Sequence, residues 1–312
     1  MMTSNLSRNV AAFLLVFAWV LAACGSAPAE LPPTSVAYVP ASSPTFVEPT
    51  HGPPTALPAT ATVLPTVTMT PTVTPTPAQA DAATISARDT VPVLCYHAIR
   101  DWLPSDTPND RVYIVPPARF AAEIEQLARQ NYHTISPDQL YAHLTTNAPL
   151  PDKPVLLTFD DSDATQWTHA VPLLQKYHLT ATFFIMTVVL DKPGYLSRAQ
   201  VKELDQQGMT IGAHTWDHHR VTRYTDADWD VQITRPTHEL EEIVGHPIRY
   251  FAYPYGLWDT TSISHLKAAG FVAAFQLQGK LDPTDSLYTL PRAVISGLWS
   301  EQHFSERLQS PE

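Results

Sequence analysis

The sequence predicts an α/β domain built on a parallel sheet with helices packed over it, preceded by a long proline- and threonine-rich stalk. Two observations predict the sheet and one the stalk. From Val91 onward, apolar runs (VPVLCYH, PVLLTFDD, ATFFIM, MTIGAH, YFAYPYG, FVAAFQL) alternate with amphipathic stretches. Continuous apolar strands separated by helices indicate a sheet covered on both faces, as parallel strands joined by helical crossovers require. The polar residues able to do chemistry follow the ends of these runs, where parallel barrels keep their active sites. Ahead of this region the texture differs: the 312 residues include 30 prolines against 10 glycines, and the excess is concentrated before Val91.

Taken in order, the chain opens with Arg8 and an apolar run from Val10 to Ala23. That run is short for a membrane span and of the right length for the core of an export signal. It ends in Leu21-Ala22-Ala23-Cys24, followed by Gly25 and Ser26. Small residues before a cysteine resemble a bacterial lipobox. The resemblance implies cleavage before Cys24, a lipid on its sulfur, and an extracytoplasmic protein anchored in the cell membrane. Residues 1–23 are therefore expected to be a lipoprotein signal peptide. Residues 24–88, with segments such as PTVTMTPTVTPTP, hold too few large apolar side chains to fold and are expected to form a disordered, extended linker. Cys24 and Cys95 are the two cysteines. If Cys24 is lipidated no intramolecular disulfide can form, and Cys95, inside an apolar run, is expected in the core.

Residues 89–312 are expected to form the catalytic domain. Phe120, Ile124 and Leu127 fall at helical spacing, as do Val201 and Leu204. Apolar residues make up 44% of the chain, enough for a substantial core. Nineteen basic against 30 acidic residues give a net charge of −11, which argues against nucleic acid or an anionic membrane surface as partner and suits neutral or partly cationic glycans. No internal repeat is present, and the sequence carries no signal for oligomeric state.

Three segments hold the chemistry: Thr158-Phe159-Asp160-Asp161, His214-Thr215-Trp216-Asp217-His218, and Phe251-Ala252-Tyr253-Pro254-Tyr255-Gly256. If the chain turns helical after Ala213, His214 and His218 sit at i and i+4 on one face, with β-carbons about 5–6 Å apart. Two imidazoles so placed can share a cation, and one acidic ligand completes an open three-ligand site. Asp160 and Asp161 together offer that ligand and a base. A solvated acidic pair or a helix cap is the plainer alternative for two adjacent aspartates, but the apolar PVLLTF run before them sets the pair at the top of a buried strand.

TFDD, HTWDH and FAYPYG, in this order, resemble the motifs of the family 4 carbohydrate esterases, the polysaccharide deacetylases with a NodB-homology domain, over about Val91 to Leu308. The resemblance implies a distorted parallel (β/α) barrel acting on an acetylated polysaccharide. It also implies Asp160 as catalytic base and Asp161, His214 and His218 as ligands of a divalent metal, most often zinc. VPVLCYHAI and LPRAVI resemble the subgroup that deacetylates poly-N-acetylglucosamine. By that likeness His97 is the candidate general acid, and the backbone N–H of Tyr255 is the candidate donor to the developing oxyanion. Arg292 is the candidate to orient the base, since Ala252 stands where many relatives have arginine. Ser162 replaces the usual glycine after the two aspartates. Trp216, Tyr253, Trp258 and Trp299 are candidates for sugar-face contacts, with core packing as their alternative. His133, His143, His169, His178, His219, His238, His246 and His265 are expected to have no catalytic part, and His303 matches the family poorly. A glycosidase is disfavoured, because its two carboxyls must stand about 5 Å or more apart across a bond. A non-catalytic glycan-binding lipoprotein would be expected to have lost the base or a ligand. An O-acetyl esterase of the xylan type shares the same motifs.

Overall fold

The computed structural model describes residues 80–88 and 91–309. The expected signal peptide, Cys24 and most of the linker lie outside the described residues. The strands are β1 (Val93–Tyr96), β2 (His133–Thr134), β3 (Pro154–Phe159), β4 (Thr182–Ile185), β5 (Thr210–Ala213), β6 (Tyr250–Ala252), β7 (Ala273–Phe275) and β8 (Ala293–Val294). The α-helices are α1 (Ala82–Ser86), α2 (Pro117–Arg129), α3 (Pro137–Thr146), α4 (Val171–Lys176), α5 (Arg198–Gln206), α6 (Asp226–Trp229), α7 (Arg235–Val244), α8 (Thr260–Ala268) and α9 (Glu301–Gln309).

Every strand pair is parallel, in the order β7-β6-β5-β4-β3-β1-β8, with β2 paired to the start of β3. The segment before β8 brings the two edges together. Leu290 bridges to Phe275 of β7, through bonds of 3.0 Å to the Ala274 carbonyl and 2.9 Å from the Gln276 N–H. A few residues on, Ala293 and Val294 pair with Leu94 and Cys95 of β1. The expected distorted (β/α) barrel is what forms, closed by one short stretch of chain.

Side chains alternate along the strands, as the two-residue period of a strand demands. Leu157, Phe159, Phe183, Ile185, Ile211 and Phe251 pack with helix residues such as Phe120, Ile124, Leu127, Val201, Leu204 and Leu240. Leu156, Phe184, Tyr250 and Phe275, one residue out of phase, form a second cluster inside the barrel. Gly212 on β5 is part of that fit. A Cβ there would stand 2.5 Å from the ring of Phe184, so only glycine lets that ring fill the interior.

The N-terminal end of the barrel is closed by α1 and α3. Ile85 of α1 is 4% exposed and joins Leu140 and Leu144 of α3 in the inner cluster. Ser286 Oγ donates to the Ala82 carbonyl at 3.2 Å, and Ala80 N–H donates to the Thr145 carbonyl at 3.0 Å. The folded part thus begins ahead of the expected boundary at Asp89. A short helix with one large apolar residue gives little periodic signal, yet that residue meets an apolar opening. A chain starting at Val91 should be less stable than one starting at Ala80 by about 1.5–3 kcal/mol, the worth of one buried isoleucine. Denaturant midpoints compare the two directly, and equal midpoints would show α1 to be dispensable.

One buried acid sits in the outer layer. Glu123 of α2 is 3% exposed, and its Oε2 accepts from the Tyr96 hydroxyl at 3.1 Å. Burial outweighs that bond and raises its pKa from 4.5 to about 7. The protonated form is the one the fold favours, so this contribution to stability is full below about pH 4.5 and is lost as pH rises to about 7. Glu123→Gln should match the wild type in unfolding free energy near pH 4.5 and exceed it by up to ~3 kcal/mol at pH 8. A gap that does not change with pH would contradict this assignment.

Candidate active site

All three motif segments leave the C-terminal ends of strands of the same sheet: β3, and beyond β4 the adjacent β5 and β6. After Phe159 the chain turns sharply, with Asp161 (φ 71) and Ser162 (φ 60) both left-handed. Ser162 stabilises that turn. It is fully buried, its Oγ accepts from Met186 N–H at 2.9 Å, and its carbonyl accepts from Leu196 N–H at 2.9 Å. Serine in place of the glycine of the motif it resembles thus exchanges conformational freedom for a hydrogen bond to the loop after β4.

The helix expected for HTWDH does not form. Thr215 (φ 68) and His218 (φ 67) are left-handed, which ends any right-handed turn. The Thr215 hydroxyl oxygen instead accepts from His218 N–H at 2.9 Å. The two imidazoles still meet, with ring centroids 4.9 Å apart. Tyr255 (φ 60) is left-handed as well. The glycine after it, Gly256 (φ 67), lies so close to Leu277 that a Cβ would stand 2.5 Å from its backbone nitrogen. Five of the ten described non-glycine residues with positive φ lie in these three loops, so the backbone strain is concentrated at the site.

His214 is buried, and its Nδ1 donates to the Ala252 carbonyl at 2.7 Å. That bond leaves the Nε2 lone pair facing the cavity. His214 Nε2 lies 3.4 Å and His218 Nε2 3.5 Å from Asp161 Oδ1, a buried oxygen with no hydrogen-bond partner. One ligand atom from each of Asp161, His214 and His218 falls within 4.8 Å of the others. Two imidazole nitrogens and one carboxylate oxygen form a donor set that fits a divalent transition metal. Burial opposes ionisation of Asp161, but the neighbouring His214, with His97 and His218, overcomes it and holds its pKa near 2. Burial, with His214 alongside, pushes His218 down to about 4, which keeps its nitrogen free.

Asp160 has different company. Arg292, entering from the segment that closes the barrel, donates through Nη1 to Oδ1 and through Nη2 to Oδ2, both at 2.7 Å. Burial would raise the acid's pKa, but Arg292 and then His214 hold it far below the ordinary carboxylate range. Cys95, fully buried as expected, also donates from Sγ to Asp160 Oδ2 at 3.4 Å. His97 is 9% exposed, stands edge-on to Tyr113 at 5.0 Å, and has its pKa lowered by burial. His97, Asp160, Asp161, His214, His218 and Tyr255 line one cavity of about 390 Å³, together with Arg100, Tyr113 and Tyr253. The Tyr255 side chain is exposed, lying against His218 and beneath Arg220.

Of the four proposed sugar platforms, Trp216 is exposed but not part of the cavity lining, while Tyr253 is buried and lines it. Trp258 and Trp299 are half-buried against the core. His133, His169, His178, His219, His238, His246 and His303 are exposed, and His143 and His265 half-buried, all outside the cavity lining. Sequence reasoning missed the contact of Cys95 with Asp160, the hydroxyl of Thr158 on Arg292 at 3.1 Å, and the side chain of Gln166 below the site. None of these carries a spacing signal.

Comparison with known proteins agrees with this architecture. Residues 147–274 match the family model for polysaccharide deacetylase, a span that includes Asp160, Asp161, His214, His218 and Tyr255. The poly-beta-1,6-N-acetyl-D-glucosamine N-deacetylase of Staphylococcus epidermidis is 26% identical over 232 residues, covering 67% of this chain and 80% of that protein. Among solved structures, the Streptococcus pyogenes deacetylase PplD in complex with acetate is 27% identical, with a TM-score of 0.65 over 71% of this chain and 98% of its own. IcaB from Ammonifex degensii is 28% identical, with a TM-score of 0.59 over 71% of this chain and 97% of its own. In its parallel barrel, its ordered motifs and these matches, the chain is similar to polysaccharide deacetylases, and residues 147–274 carry the match to that family's model.

Proposed function

We propose that this protein is an extracytoplasmic, metal-dependent hydrolase that removes N-acetyl groups from a polysaccharide of the poly-N-acetylglucosamine type. The observation that carries the reading is the separation of two adjacent carboxylates. Asp161 faces His214 and His218, whereas Asp160 is held by Arg292. Neighbouring acids so differently partnered suit different tasks. The likeness to the Staphylococcus epidermidis enzyme, named for poly-beta-1,6-N-acetyl-D-glucosamine, supports the substrate class.

In this reading Asp161, His214 and His218 hold a divalent cation, zinc being the first choice for two imidazoles and a carboxylate. When bound, the cation supplies Lewis-acid polarisation and acidifies water. The protein's own groups do the rest. Asp160 is ionised and accepts the proton of the attacking water. The Tyr255 backbone N–H donates to the oxygen that gains charge as the acetyl carbon becomes tetrahedral. His97 gives a proton to the departing sugar nitrogen, which leaves as an amine. The Arg292 fork keeps the Asp160 carboxylate in one plane and orientation. Cys24, if lipidated, anchors the protein in the membrane through the proline- and threonine-rich residues ahead of Ala80.

Acetate release from β-1,6-linked N-acetylglucosamine oligomers, with and without chelator, tests the function, and full activity after complete removal of divalent ions would exclude it. Asp161→Ala, His214→Ala and His218→Ala should lose metal content and turnover together. Asp160→Asn should keep its metal while turnover falls by about 10²–10⁴-fold, the usual worth of a general base. Near-normal turnover in that variant would remove Asp160 from its role. Separately, Cys24→Ser should shift the protein from the membrane to the soluble fraction with unchanged specific activity. Identical fractionation of variant and wild type would argue against lipidation.

A further inference from the structure

We propose that Gln166 is a positioning residue for the reaction: its side-chain amide fixes the segment bearing His97 against the end of β3 that bears Asp160. This rests on the roles of acid and base given above, and it assigns a task to a residue that neither touches substrate nor belongs to a motif.

The pairing of β1 with β3 runs as far as Tyr96 opposite Phe159, and Asp160 N–H makes the last backbone bond, to the Tyr96 carbonyl at 2.9 Å. His97 lies just beyond that ladder. Gln166 takes over at this point. Its Nε2 donates to the Asp160 carbonyl at 2.6 Å and to the His97 carbonyl at 3.1 Å. Both neighbours are carbonyl oxygens, which only accept, so the NH₂ end of the amide must face them, and its two hydrogens serve one carbonyl each. The side chain therefore acts as an extra rung between the two strands where the backbone can no longer supply one.

Two further observations separate this from simple space-filling. Gln166 is fully buried, and its Oε1 has no hydrogen-bond partner. A buried unpaired acceptor costs stability, and a methionine would fill the same volume without that cost. The residue also opens a π-helical turn, Gln166–Ala170, ahead of α4. Such turns insert an extra residue into a helix and recur at functional sites. Its neighbour grips the same segment with opposite polarity, because the Thr165 hydroxyl oxygen accepts from Ile99 N–H at 2.8 Å. One donor and one acceptor from consecutive residues thus hold residues 97–99, and the separation of acid and base is set from below the cavity.

Release of an amine requires a proton from the acid, whereas release of a phenolate from an aryl acetate does not. Gln166→Met should therefore lower kcat on an N-acetylglucosamine oligomer by about 10–100-fold, the scale of an ångström-sized misplacement. KM should stay within about threefold. Metal content should be unchanged, and kcat on an aryl acetate should fall less than about threefold. His97→Ala is the reference and should show the same contrast more strongly. If His97→Ala discriminates between the substrates and folded Gln166→Met loses equally on both, the positioning role is overturned and the residue is structural. If His97→Ala does not discriminate, the acid has been misassigned, and the inference falls with that reading. Should Gln166→Met not fold, Gln166→Asn and Thr165→Val carry the test. Each weakens the grip on residues 97–99, and the same contrast, smaller in size, is expected. Equal losses on both substrates in both variants would overturn the proposal.

Discussion

The structure depends on the buried pair of Asp160 and Arg292. A carboxylate at the end of a core strand cannot remain ionised there without a partner, because desolvation opposes the charge. Arg292 meets both oxygens, and two further donors go to the Thr158 hydroxyl and the Gln276 carbonyl. The arginine reaches this position because residues 290–294 cross from β7 to β1. Barrel closure and the orientation of the proposed base are therefore the same structural event. Removing one member of such a pair leaves the other buried and uncompensated, at a cost of several kcal/mol, so changes at the closing segment act on the site as directly as changes within it.

The other half of the site is held by strain. Left-handed backbone at Asp161, Ser162, Thr215, His218 and Tyr255 costs on the order of 1 kcal/mol or more per residue. Each costly turn is tied to a neighbour: Ser162 to Met186 and Leu196, and Thr215 to His218. The buried imidazole of His214 is fixed to the next strand through Ala252. The proposed ligands are directed by hydrogen bonds between loops and strands, which lets short strands of three to six residues carry the donor set.

Much of this was legible in the sequence, for identifiable reasons. Strands such as PVLLTF and TFFI are continuous apolar runs because both faces of a covered parallel sheet are buried. Their ends locate Asp160, Asp161 and His214, since side chains leave a strand in known directions. What could not be read depends on distant contacts or on unusual backbone. HTWDH has helical spacing, yet two left-handed residues bring its histidines together without a helix. Arg292 was placed by resemblance alone, as it meets Asp160 across 132 positions of chain. The short helix α1 looked like the end of the linker, because a single isoleucine carries no periodicity. Cys95 was legible as core but not as a neighbour of Asp160, since strand alternation gives a face and not a contact.

The closing of the barrel's N-terminal end has a practical side. Ala80 lies at that end, bonded to α3, while the cavity opens among the loops that follow the strands. Whatever precedes Ala80 therefore joins the domain at the pole away from the mouth. Beads, surfaces or fusion partners attached through this end would hold the protein by its closed face. The loops around the cavity would then be left clear on the opposite face.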